Sequence, residues 1–176
     1  MTDCIFLMIK TKLDKISKKV RNEANNVFLK HGQNFPDEPF ECFLKNEDPE
    51  KCILYDIGYD YYCAPPMNGT IKCMVCDESI DDVEDAIYPF HFTIADQILS
   101  QICSTLDDLV SVLPVSVSVE LFVGEDIGNL DEFKTVECKT KEMKEILLED
   151  IKKSGGTLDY YRFVIKRSIC TTTLTG

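Results

Sequence analysis

The run "FTIADQILSQICSTLDDLVSVLPVSVSVELFV", residues 92–123, changes its hydrophobic period once, at Pro114. Before the proline, Ile94, Ile98, Ile102, Leu106, Leu109 and Leu113 recur at helical spacing and form a wide apolar face. Thr93 can cap this helix, with Asp96 three residues later in a near capping-box arrangement. Pro114 cannot continue it. After the proline, Val115, Val117, Val119 and Leu121 alternate, which predicts a strand with one apolar face. A wide helical stripe followed directly by an alternating strand demands a layered fold, in which the helix covers the sheet.

The rest of the chain repeats that pairing. "DCIFLMI", residues 3–9, is short, apolar and bounded by charge, and reads as a buried strand. Leu13, Ile16, Val20, Ala24, Val27 and Phe28 then fall at helical spacing, and Gly32 is placed to end that helix. Its other face carries Lys12, Lys15, Lys18, Lys19 and Arg21 and reads as solvated surface. Residues 33–52 hold three prolines and read as loop, with room for a short strand at Phe40–Leu44. "CILYDIGYDYYC" and "TIKCMVCDE" predict strands joined by the turn "CAPPMNGT", a hairpin through residues 53–76. After 124 comes a loop rich in Gly and Asp. Thr140 can cap the next helix, with Met143, Ile146, Leu147 and Ile151 as its buried stripe and Gly155-Gly156 at its end. "LDYYRFVIKRSI" is the last strand. The expected fold is α+β or α/β: one layer-type domain over residues 1–176, with a mixed sheet of about five to six strands and three helices.

Length and composition support a packed core: 176 residues, of which 44% are hydrophobic. No apolar run reaches the ~18 residues of a membrane-spanning helix, and the start lacks a secretory pattern. A cytoplasmic protein with no membrane partner is therefore expected. Nine cysteines, an odd number, argue against a disulfide framework and for reduced thiols used as small buried hydrophobes. Charge is unevenly spread. Residues 1–30 hold 7 basic and 3 acidic side chains, residues 31–133 hold 3 and 22, and residues 134–176 hold 9 and 6. An acidic middle of this size repels nucleic acid and attracts basic surfaces.

Catalytic chemistry finds little support. Cys73 and Cys76 form a single C-x-x-C, and with Cys63 and His91 they make a candidate zinc set. Strand alternation would put the two thiols on opposite faces, and Met-Val is a poor turn between them. Asp77 and Glu78 follow directly, and their charge would weaken a thiolate nucleophile. His31 sits at a helix C-terminus, where the dipole favours a cation; His91 lies between aromatics. No nucleophile elbow, phosphate loop, dinucleotide fingerprint or metalloprotease helix occurs. The chain is expected to be no enzyme and to need no cofactor. The stretches "YDIGYDYY" and "DESIDDVED" combine tyrosines with carboxylates, as protein-binding surfaces do. They supply the expected partner-binding residues Asp56, Tyr59, Asp60, Tyr62, Asp77, Glu78, Asp81, Asp82, Glu84 and Asp85.

In size, acidity and lack of catalytic motif the chain resembles the small immunity proteins of bacterial toxin–immunity systems, including the contact-dependent inhibition type. The resemblance is to a class and rests on no residue motif. It implies an antitoxin in bacterial competition, which binds a basic toxin domain such as a nuclease and blocks it with carboxylates that mimic phosphate. Two alternatives stand beside it: a zinc-binding regulatory or enzymatic protein using Cys63, Cys73, Cys76 and His91, and an acidic DNA-mimic adaptor. Oligomeric state is left open.

Overall fold

The structure is a computed structural model and describes residues 4–33, 47–57, 99–124, 133–154 and 160–167. Five strands form one mixed sheet: β1 (Cys4–Thr11), β2 (Cys52–Asp56), β3 (Val117–Gly124), β4 (Lys134–Cys138) and β5 (Tyr161–Ile165). Their spatial order is β2-β1-β3-β5-β4. β1 runs antiparallel to both β2 and β3, β3 antiparallel to β5, and β4 parallel to β5. Three helices accompany the sheet: α1 (Lys18–Lys30), α2 (described over residues 99–112) and α3 (Thr140–Ser154). The α+β arrangement with a mixed sheet and three helices is as the sequence predicts.

All three helices pack on one face of the sheet. Val20, Ala24, Val27 and Phe28 of α1 join Leu99, Ile102, Leu106 and Leu109 of α2 and Met143 and Leu147 of α3 in the main core. The sheet meets them with alternate residues: Ile5, Leu7 and Ile9 of β1, Val119, Leu121 and Val123 of β3, and Phe163 of β5. The opposite face buries a smaller cluster of Phe6, Met8, Cys52, Leu54, Phe122 and Phe133. β1 is therefore apolar on both sides, which is why "CIFLMI" reads as a continuous run, whereas β3 adds only Phe122 to the second cluster. No helix of the described residues is long and apolar enough to cross a membrane.

Local chemistry moves several predicted boundaries. Helix α1 starts at Lys18, because the Ser17 hydroxyl accepts from the Val20 N–H at 3.2 Å and so caps it there. Residues 12–15 form a bend, which leaves Leu13 61% exposed while Ile16 stays buried. Val115 lies in the turn before β3 and is 83% exposed, so the inward alternation begins at Val117. Thr140 does not cap α3. It is the first helical residue, and its hydroxyl donates to Asp107 on α2 at 2.7 Å. The cap is Lys139, whose carbonyl accepts from Met143 and whose N–H donates to the Glu142 carboxylate at 2.9 Å. β4 lies where the sequence predicts only loop. Gly32 ends α1 as expected, at φ 69°. The short strand at Phe40–Leu44, the hairpin beyond Ile57, the Thr93 cap and the Gly155-Gly156 stop lie outside the described residues.

Candidate functional site

Of the ten expected partner-binding residues, Asp56 is the one whose backbone is described. It ends β2, opposite Phe6 of β1. Tyr59, Asp60, Tyr62, Asp77, Glu78, Asp81, Asp82, Glu84 and Asp85 lie outside the described residues, as do Cys63, Cys73, Cys76 and His91. The neighbouring Tyr55 belongs to the core: it is 1% exposed, with its ring edge-on to Phe28 at 4.9 Å.

The described residues nevertheless sharpen the charge asymmetry. They carry 17 basic and 14 acidic side chains, whereas the remaining residues carry 2 basic and 17 acidic. The sheet and its helices thus form a slightly basic body, and the acidic excess belongs entirely to the segments between and beyond its elements. Two of these segments, 58–98 and 125–132, hold 12 acidic residues and one basic residue. Both leave the sheet at the same end. The Ile57 N–H donates to the Ile5 carbonyl at 3.0 Å, and Gly124 pairs with Cys4 at the start of the same strand.

That end of the sheet is braced by aromatic rings. Phe133 packs edge-on to Phe122 at 5.6 Å and to Tyr160 at 5.4 Å. The Tyr160 ring lies against Gly124 so closely that a Cβ there would stand 2.6 Å from a ring carbon. Lys134 places its ammonium over the Tyr161 ring at 5.6 Å. The segment that leaves at Gly124 therefore returns at Phe133 beside its own point of departure. Tyr160 remains 40% exposed.

A second polar centre lies on the sheet face away from the helices. Glu120 is only 4% exposed, and Arg162 reaches its Oε2 with both Nε and a terminal nitrogen at 2.7 Å. The Ser118 hydroxyl donates to Oε1 at 3.2 Å. Glu47 pairs with Lys10 and stands 3.7 Å from Arg162. Two cations meet two carboxylates, so the group is balanced and holds strands β1, β3 and β5 together with the turn before β2. Sequence reasoning passed over it. The available signal is a lone Glu in "VSVELFV" and a lone Arg in "YYRFVI", since a charge in a buried strand needs an opposite charge on the same face.

The three described thiols are poor nucleophiles. Burial, with help from Glu47, pushes the Cys52 thiol up to about 11; burial and then Asp107 push Cys103 up to about 11 as well. Burial also raises Cys138. All three are free thiols and stay protonated at neutral pH, as small buried hydrophobes do. His31 caps α1 and shares Asp108 with Lys30, at 2.8 and 2.7 Å. Those two hydrogen bonds hold the Asp108 carboxyl below its usual range. No group of three or more His, Cys, Asp or Glu side chains suited to a metal ion occurs among the described residues. What this arrangement offers is a braced platform that anchors acidic segments. No family model, curated protein or solved structure was found to match the chain.

Proposed function

We propose that the chain is a non-catalytic binding protein of the immunity type, which neutralises a basic toxin domain of the nuclease class in the cytoplasm. The observation that supports this reading is the partition of charge: a near-neutral, slightly basic body, against 17 acidic and 2 basic residues in the segments it anchors. Selection for solubility alone would not require the acidic residues to gather in connections while the body stays near neutral. The contact residues are Asp56, Tyr59, Asp60 and Tyr62 of one stretch and Asp77, Glu78, Asp81, Asp82, Glu84 and Asp85 of the other. Their carboxylates would occupy the toxin's phosphate-binding surface, and their tyrosines would supply buried contact area. Steering by such a field makes association fast and sensitive to ionic strength.

Co-expression with the toxin candidate encoded beside its gene tests the reading. Rescue of growth and a co-purifying complex are expected, with affinity falling at least tenfold between about 0.05 and 0.5 M salt. Replacing Asp81, Asp82, Glu84 and Asp85 together by amides should weaken the complex and flatten that salt dependence. Absence of a basic partner, or a complex indifferent to salt, would overturn the proposal.

A further inference from the structure

One side chain closes the end of the sheet opposite the acidic segments. Those segments leave beside Cys4 and Gly124, whereas the far end of the same ladder is the Thr11–Val117 pair. Continued three steps beyond Glu120–Val164, the β3–β5 register sets Arg167 level with Val117. From there its guanidinium reaches the end of α2. One terminal nitrogen donates to the Val110 carbonyl and, at 2.7 Å, to that of Leu113. The other donates to Pro114 at 2.7 Å and to Val117 at 3.1 Å. Four carbonyls thus occupy the four N–H groups at the tips of the fork. Arg167 is partly buried, and among the described residues no carboxylate pairs with it.

Helix α2 needs a donor from outside. The last carbonyls of a helix have no partner within it. Val110 would ordinarily accept from the N–H four residues on, but that residue is Pro114, which has none. The same carbonyl dipoles favour a cation, so the helix end offsets the charge of the guanidinium. A lysine would bring the charge without the planar fork that spans four acceptors. We propose that Arg167 is a latch that joins the end of α2, the start of β3 and the end of β5 into one opening unit. The carbonyls it holds lie 50 to 57 residues away in sequence. While the fork is engaged, none of the three ends moves without the others. When it disengages, this corner opens locally and the middle of the sheet, held by the helix-covered core, stays closed. The latch uses no residue of the proposed toxin-binding stretches and does not rest on that role.

Native-state amide hydrogen exchange of the full-length protein, followed by NMR, is the test. Three amides report on the three ends: Leu113 N–H, bonded to Leu109; Val117 N–H, bonded to Pro114; and Lys166 N–H, bonded to Cys138. In Arg167→Met, which keeps an unbranched apolar stem but no donor, all three should exchange about tenfold faster or more, and by a common factor. The Leu121 amide, in the middle of β3, should change much less. Arg167→Lys should fall between wild type and Arg167→Met, and it carries the same comparison if Arg167→Met does not fold. Acceleration at only one of the three amides overturns the latch, as does an equal rise at Leu121 or no rise at all. An Arg167→Lys protein that exchanges like wild type would show that charge at the helix end suffices, and also overturns it.

Discussion

The two faces of the sheet solve different problems. The helix-covered face is apolar throughout: Ile5, Leu7, Ile9, Val119, Leu121, Val123 and Phe163 are each at most 1% exposed. The other face is apolar over Phe6, Met8, Leu54 and Phe122 and then turns to Lys10, Ser118, Glu120 and Arg162. Burial on the first face supplies most of the stability, at roughly 1.5–3 kcal/mol for each large side chain. The ion pairs on the second face add little net energy, because desolvation offsets their attraction. They are instead directional, and they fix how the turn before β2 meets the sheet. One face provides stability; the other fixes geometry.

Truncation on the helix-covered face should therefore do the most damage. Phe163→Ala is expected to cost about 3–5 kcal/mol in urea unfolding, and Leu54→Ala, on the opposite face of edge strand β2, nearer 2. Equal costs would mean that the two faces share the load. The ion pair gives a sharper contrast. Arg162→Met alone leaves the Glu120 carboxylate buried and unpaired, at a cost of about 2–3 kcal/mol once the partial exposure of Arg162 is allowed for. Arg162→Met with Glu120→Met should recover most of that loss. A double variant as unstable as the single would show that the pair is a true source of stability and that the contrast between the faces is wrong.

The braced end of the sheet yields a smaller effect. A methyl group at Gly124 must displace the Tyr160 ring, so Gly124→Ala should cost about 1–3 kcal/mol. In a Tyr160→Ala background the same substitution should be nearly neutral, because the ring it strikes is gone. An undiminished cost in that background would place the strain in the backbone rather than in the ring contact.

Which features were legible in the sequence follows from the range of the forces that make them. Helices α1, α2 and α3 announce themselves because each has a stripe that must be buried, and the stripe is local. The step at Pro114 is legible for the same reason. Leu13 and Ile16 fit the helical period, but the Ser17 cap decides where α1 begins. β4 has no such signature: "KTVEC" is a five-residue edge strand whose only inward apolar residues are Val136 and Cys138, and its partner β5 lies beyond a whole helix. The Glu120–Arg162 pair joins residues 42 apart in sequence. No local pattern shows which charge will meet which. Charge, by contrast, needs no contacts to be counted, so the acidic middle was visible at once. Its division into a balanced body and acidic connections became visible only with the element boundaries.

The smallest effects lie at the extremes of pH, and their signs differ. Cys52 and Cys103 have folded-state values near 11, above the ordinary 9.0 that they regain on unfolding. Their contribution is intact below pH 9 and is lost as pH rises toward 11, since only the unfolded chain ionises freely there. Melting temperatures of Cys52→Ala and Cys103→Ala should therefore fall less steeply than wild type above pH 9, and parallel slopes would refute the assignment. Asp108 works in the other direction. Lys30 and His31 lower its folded-state value, so its contribution is present above the ordinary carboxylate range and disappears as pH falls through the folded value. Asp108→Asn should be slightly less stable than wild type at pH 7, and the gap should begin to close only as the pH falls below about 4. A stability gap that does not narrow at all as the pH falls below the ordinary carboxylate value would mean that Asp108 acts through packing rather than through its charge. The α1–α2 contact would then be held by its apolar residues alone, as the helix-covered face of the sheet is.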